Sequence, residues 1–193
     1  MSIATSHLDL QSDDAALVII DIQQKLAAAM PSEGLHDLLR RVVNLVECAR
    51  LLELPLIVSE QYPKGLGNTL PMVGEAAYRS SSEVPFFSKT RFSCVGEPAF
   101  DAWLSGHKRR QILLTGIESH VCVFSTARDL LARGYTVHVP QDATMSRTHR
   151  NYENGLRLIE AGGGVVTNSE TVVFDLLKKA EGDAFKAMSR LIK

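Results

Sequence analysis

Three residues of this 193-residue chain carry side chains that can share one reaction: the carboxylic acid Asp21, the amine Lys89 and the thiol Cys122. Each follows a short apolar run. Asp21 follows Ala15–Ile20, Lys89 follows Val84–Phe87 and Ser88, and Cys122 follows Gln111–Thr115 across the turn Gly116-Ile117-Glu118-Ser119-His120-Val121. A thiol attacks well only as thiolate, so it needs a base and a positive environment. Asp21 is the candidate base, and Lys89 the charge that holds Asp21 while favouring a sulfur anion. Ser119 reads as a helix N-cap, which puts Cys122 in a first turn where the helix dipole favours the thiolate over the ordinary thiol, pKa ~8.5. Backbone N–H groups of the preceding turn can receive an oxyanion.

Each residue alone has a plainer reading: core filler for the cysteine, turn carboxylate for Asp21, solvated amine for Lys89. Cys122 shares its helical face with Ser125, Thr126 and Asp129, whereas Val121, Phe124, Ala127 and Leu131 occupy another. That weakens the core reading, and the convergence of the three on one rim strengthens the chemical one.

The elements that must position them alternate. Apolar runs at 15–20, 55–59 and 111–115 read as strands buried on both faces, 84–87 as a weaker strand, and 136–139 and 165–167 as further strands. Helical periodicity fills 35–52, 97–104, 119–133, 150–161, 171–180 and 184–191. The stretch 62–84, with Pro63, Gly65, Gly67 and Pro71, reads as a long loop. This pattern predicts an α/β chain whose parallel sheet has helices on both faces, with ligands bound beyond the carboxyl ends of the strands where strand order reverses.

The length fits one domain, 1–193, with a polar extension at 1–14. The formal net charge of −1 offers no basic stripe for nucleic acid. No apolar run approaches the ~20 residues of a bilayer span. The polar start lacks a secretory pattern, and three cysteines without a Cys-x-x-Cys pair argue against a disulfide framework. A cytoplasmic protein is expected. Asp21-Ile22-Gln23-Gln24-Lys25 has no glycine to admit a phosphate, which excludes a nucleotide-binding loop there.

The motifs Val-Ile-Ile-Asp-Ile-Gln around Asp21, Lys-Thr-Arg-Phe-Ser from Lys89, and Gly-Ile-Glu-Ser-His-Val-Cys ending at Cys122 together resemble the isochorismatase-like hydrolases. The likeness runs from about Ala15 to about Leu177. Ser59-Glu60-Gln61-Tyr62-Pro63-Lys64-Gly65-Leu66-Gly67 is similar to the branch of small isochorismatase domain-containing proteins. The resemblance implies a three-layer α/β/α, Rossmann-like fold with a six-stranded parallel sheet ordered 3-2-1-4-5-6. It also implies a cis peptide at Ile117–Glu118 and an oxyanion hole from the N–H groups of Glu118 and Cys122. Cys122 would attack a carbonyl to give a thioester, with Asp21 shuttling protons and Lys89 fixing the charges.

Nicotinamidases of this superfamily bind a metal through an Asp-x-His pair after the second strand and a further histidine. Here that stretch is Ser59-Glu60-Gln61-Tyr62, so neither metal nor cofactor is expected. Gln23, Glu60, Tyr62, Phe92 and Ile117 are the candidates for lining a pocket for a small amide or related acyl substrate, while His120 reads as structural. Relatives form dimers, tetramers or larger rings, so a homo-oligomer is expected, without nucleic acid or membrane partners. The competing reading is a catalytically silent binding or scaffold protein on the same fold. A redox role for Cys122 requires that folding bring Cys94 close.

Overall fold

The run Ala-Ala-Leu-Val-Ile-Ile offers no polar side chain to solvent, and it forms the central strand β1 (Ala15–Ile20), buried at every position. The computed structural model describes residues 5–81 and 83–192, so residues 1–4 of the polar extension lie outside the described residues. The other strands are β2 (Leu56–Gln61), β3 (Phe86–Lys89), β4 (Gln111–Ile117), β5 (Thr136–Pro140), β6 (Thr144–Met145) and β7 (Val165–Thr167). All pair parallel, in the order β3-β2-β1-β4-β5-β7, with β6 set against the end of β4. The six strands read from the sequence therefore take the implied order. The additional strand β6 has two residues, too few for a periodic pattern.

A parallel sheet needs both faces covered. Leu17 and Ile19 of β1 pack with α2 (Ser32–Leu51), α4 (Pro71–Ser80), α8 (Ser169–Leu177) and α9 (Gly182–Leu191). Ala16, Val18 and Ile20 pack with α5 (Pro98–His107), α6 (Phe124–Ala132) and α7 (His149–Ala161). The backbone of α2 is non-helical at Glu33 and Gly34, so its regular part begins at Leu35 as the periodicity suggested.

Three expectations change. The stretch 62–84 is not a continuous loop: it contains α3 (Pro63–Leu66) and α4, each with a proline in its first turn. There the missing N–H costs nothing and the fixed φ suits a helix, so the same prolines that break a pattern also start one. A short helix α1 (Gln24–Ala28) follows the first strand end. Strand β3 begins two residues later than expected and ends on Lys89, because Pro85 can supply only its carbonyl, which accepts from the Val58 N–H at 3.0 Å.

Cys48 on α2 lies in the larger core layer, where burial, helped by Glu47, pushes its thiol up from 9.0 to about 12. Folding therefore favours the neutral thiol. That contribution is complete below about pH 9, where the unfolded thiol is also neutral, and is lost as pH rises toward 12. Urea unfolding at about pH 8 and about pH 10 should show Cys48→Ala losing about 1.4 kcal/mol less stability than the natural chain over that interval. Equal losses in the two proteins would refute the burial argument.

Candidate active site

The switch point lies between β1 and β4, whose ends pair Ile20 with Gly116. Gly116 has φ +121°, and a Cβ there would meet the Ile20 carbonyl oxygen at 2.0 Å, so only glycine allows this approach. Just beyond, Asp21 adopts φ +52°, a left-handed conformation that aspartate tolerates better than most residues. Ser59 Oγ donates to Asp21 Oδ1 at 2.7 Å, and Lys89 Nζ donates to Oδ2 at 2.6 Å. Lys89 Nζ also donates to Gln61 Oε1 at 2.7 Å and lies 3.3 Å from the Phe92 carbonyl oxygen. An ammonium has three donors and no acceptor, so these oxygens satisfy it. Asp21 is 0% and Lys89 3% exposed. Burial weakens the hold of Lys89 on its proton, but the Asp21 carboxylate, together with Cys122 and Cys94, more than offsets this and raises the ammonium above its ordinary range.

Cys122 is 5% exposed and feels both charges. Burial pushes its thiol up, the Asp21 carboxylate adds to the effect, and Lys89 opposes it. Against the expected thiolate, burial and the neighbouring carboxylate both favour the neutral thiol. Ser119–Val123 form a π-helical turn and α6 begins only at Phe124. Ser119 makes no capping bond; its Oγ is instead 2.8 Å from Thr144 Oγ1. The expected cap at Ser119 is therefore absent, while Cys122 still lies in the first turn of a helix that continues into α6.

Cys94 is fully buried, with its N–H donating to Thr126 Oγ1 of α6 at 3.1 Å. Burial pushes this thiol up to about 11 against the pull of Lys89.

The remaining candidates separate by exposure. The Ile117–Glu118 peptide is cis. The Ile117 side chain is fully buried in the core layer beside α2, and Glu118 is 5% exposed and ion-paired with Arg147. Gln23 is also fully buried: its Nε2 donates to the carbonyls of Gln61 and Gly67, and its Oε1 accepts from the Gln61 N–H. It ties the end of β2 to the α3 segment, with no surface left for a ligand. Glu60 Oε1 accepts from Thr69 N–H at 2.6 Å and Thr69 Oγ1 at 2.8 Å, on the face opposite Lys89. Tyr62 and Phe92 are open to solvent, at 55% and 60%. They flank the lysine, since Tyr62 N–H donates to the Lys89 carbonyl and the Phe92 carbonyl faces Nζ.

Sequence reasoning missed Ser59 and Gln61 as partners of the charged pair. The available signal was strand parity: residues 59 and 61 share a face and Glu60 takes the other. In the stretch where metal-binding members of the superfamily place ligands, Ser59 and Gln61 instead bond to Asp21 and Lys89. Among the described residues, no group of three or more His, Cys, Asp and Glu is arranged to hold a metal ion.

The turn bearing Cys122 is packed from behind by α7. A Cβ on Gly155 would meet the backbone of Ser119 and His120 at 2.7 Å. Gly155→Ala should push α7 off the turn and cost about 1–3 kcal/mol, read as a lower urea midpoint. An unchanged midpoint would mean that α7 moves away without cost.

A parallel sheet of this order, with carboxylate, ammonium and thiol gathered at its switch point, defines the isochorismatase-like class of α/β fold. Residues 15–171 match the family model described as the Isochorismatase domain, and the chain belongs to that family. An isochorismatase domain-containing protein 1 of Salmo salar is 38% identical over 173 residues, covering 90% of this chain and 59% of the relative. The chain thus spans 59% of the length of that relative. A secreted isochorismatase effector of Phytophthora sojae is 34% identical, covering 100% of this chain and 91% of the relative. Among solved structures, the MAR1 ribonuclease of Caenorhabditis elegans is 36% identical with TM-score 0.87, covering 95% of this chain and 91% of the other.

Proposed function

We propose that the chain is a metal-independent cysteine hydrolase acting on a small amide or related acyl substrate through a thioester. The observation that carries this reading is the buried Lys89–Asp21 pair, 2.6 Å apart and acting directly on the Cys122 thiol. As the carbonyl arrives, Asp21 takes the thiol proton and the Sγ–C bond forms. The oxyanion is received by the N–H groups of Glu118 and Cys122. Collapse breaks the bond to the leaving group, which takes the proton from Asp21. Water activated by Asp21 then hydrolyses the thioester and frees the thiol. Lys89 stays charged throughout, keeping Asp21 oriented and the site electrically balanced. Tyr62 and Phe92 offer apolar surface beside the lysine for the substrate body.

The C. elegans relative is named a ribonuclease. In this chain the lysine of the site is saturated by protein oxygens, and the net charge is −1, which favours a small acyl substrate over a phosphodiester. Three free cysteines fit a reducing, cytoplasmic setting. No described helix is long and apolar enough to cross a membrane. A homo-oligomer of one-domain subunits completes the proposal, and size-exclusion chromatography with light scattering tests it.

The reading is tested with p-nitrophenyl acetate, an activated acyl donor that needs no natural substrate. Intact and peptide mass spectrometry of quenched protein should find one acetyl group, on Cys122. Acetylation elsewhere, or none, favours the silent scaffold.

A further inference from the structure

The three residues that lead into the nucleophile turn are each gripped by one short segment. Glu118 is ion-paired with Arg147 through Oε1. Ser119 Oγ is 2.8 Å from Thr144 Oγ1, and His120 Nδ1 is 3.0 Å from Ser146 Oγ. His120 Nε2 closes the set, 3.7 Å from Glu118 Oε2. Thr144 and Ser146 are both buried, so water does not compete for these bonds. The gripping segment is itself fixed, because β6 pairs Thr144 with Gly116 and Met145 with Ile117. Strand pairing thus holds the chain before the Ile117–Glu118 peptide, and the side-chain contacts hold it after. The Glu118 N–H donates to no acceptor among the described residues and is free for a ligand. The proton relay uses none of these side chains.

We propose that Thr144, Ser146 and Arg147 form a positioning clamp that holds the Glu118 N–H and the Cys122 thiol in register for acyl transfer. The clamp rests on the acyl-transfer reading above and deepens it. Arg147 is its dominant member. Its guanidinium is permanently charged and presents a rigid fork of donors, which suits a carboxylate that burial has stripped of water. Without that cation, the buried Glu118 carboxylate loses its charged partner, and the turn that carries the Glu118 N–H loses its strongest side-chain hold. A displacement of about 1 Å at a reacting centre is enough to cost about 100-fold. Arg147 itself touches Glu118 rather than the reacting atoms, and its side chain is 59% exposed, so removing it leaves the core intact.

Two reagents separate positioning from general damage. Acetylation by p-nitrophenyl acetate passes through an oxyanion and needs the Glu118 N–H. Alkylation by iodoacetamide displaces iodide at a saturated carbon and needs only the thiol. For Arg147→Ala, we expect Cys122 acetylation to slow about 10- to 100-fold, mainly in the maximal rate, with alkylation within about twofold of the natural chain. Arg147→Lys should restore most of the loss, because it returns a cation to Glu118. Ser146→Ala, which removes only the His120 contact, should show a smaller loss of the same kind. The clamp is overturned if acetylation by both alanine variants stays within about twofold, or if acetylation and alkylation fall by the same factor. Absence of Cys122 acetylation in the natural chain overturns the acyl reading itself, and the clamp with it.

Discussion

Asp21→Asn should slow acyl turnover by about 100- to 10,000-fold while making Cys122 easier to alkylate. The two effects have opposite signs because one carboxylate does two jobs. In turnover it accepts and returns the thiol proton, which an amide cannot do. At rest its negative charge adds to burial in keeping the thiol protonated, against Lys89. With the charge gone, only burial opposes Lys89 at the sulfur, and the pH midpoint of iodoacetamide alkylation should fall. Stability gives a third readout. Lys89 loses its buried counter-ion, and breaking such a pair costs about 3–5 kcal/mol. Adding Lys89→Met removes the stranded cation, so the double variant should regain much of the stability and none of the turnover. An alkylation midpoint that stays put or rises in Asp21→Asn would show that Asp21 does not set the state of the thiol.

Whether a feature was legible in the sequence depended on how much chain carries it. β1 is a continuous apolar run of full strand length, β4 carries Ile112-Leu113-Leu114 at its centre, and both are buried on both faces. Once those strands are placed, Asp21, Lys89 and Cys122 fall on one rim by topology alone. The structure joins the first two at 2.6 Å although 68 residues separate them. What escaped is carried by few residues or by exact contact. β6 is two residues long, and α3 is four. The choice of Gln61 over Glu60 as the lysine's partner follows from strand parity, which becomes usable only once the strand's end is known. The pull toward a neutral thiol is not legible because it sets burial and one charge against another, and a sequence shows the charges without the burial. Residue type suggests a cap for Ser119, but a hydroxyl bonds whatever lies nearest. Here that is Thr144, from a strand the sequence did not reveal.

Cys122→Ala should end acyl-enzyme formation altogether, a loss of roughly 1,000-fold or more in p-nitrophenol release, while stability changes by about 1 kcal/mol or less. The more informative partner is Cys122→Ser. If Asp21 were strong enough to deprotonate any hydroxyl or thiol placed beside it, the serine variant would keep measurable turnover. The site argues otherwise. Burial and the Asp21 carboxylate already favour the neutral form even of a thiol, and a hydroxyl is a far weaker acid. Lys89 is committed to Asp21, Gln61 and a backbone carbonyl, so it has no spare donor for an alkoxide. Cys122→Ser is therefore expected to resemble Cys122→Ala in turnover and the natural chain in stability. Substantial activity in the serine variant alone would mean that Asp21 can activate a hydroxyl as well as a thiol. Substantial activity in the alanine variant too would point instead to water activated directly by Asp21, with the thiol only lining the site. A serine variant that accumulates an ester adduct without turning over would support the nucleophile and assign the slow step to hydrolysis.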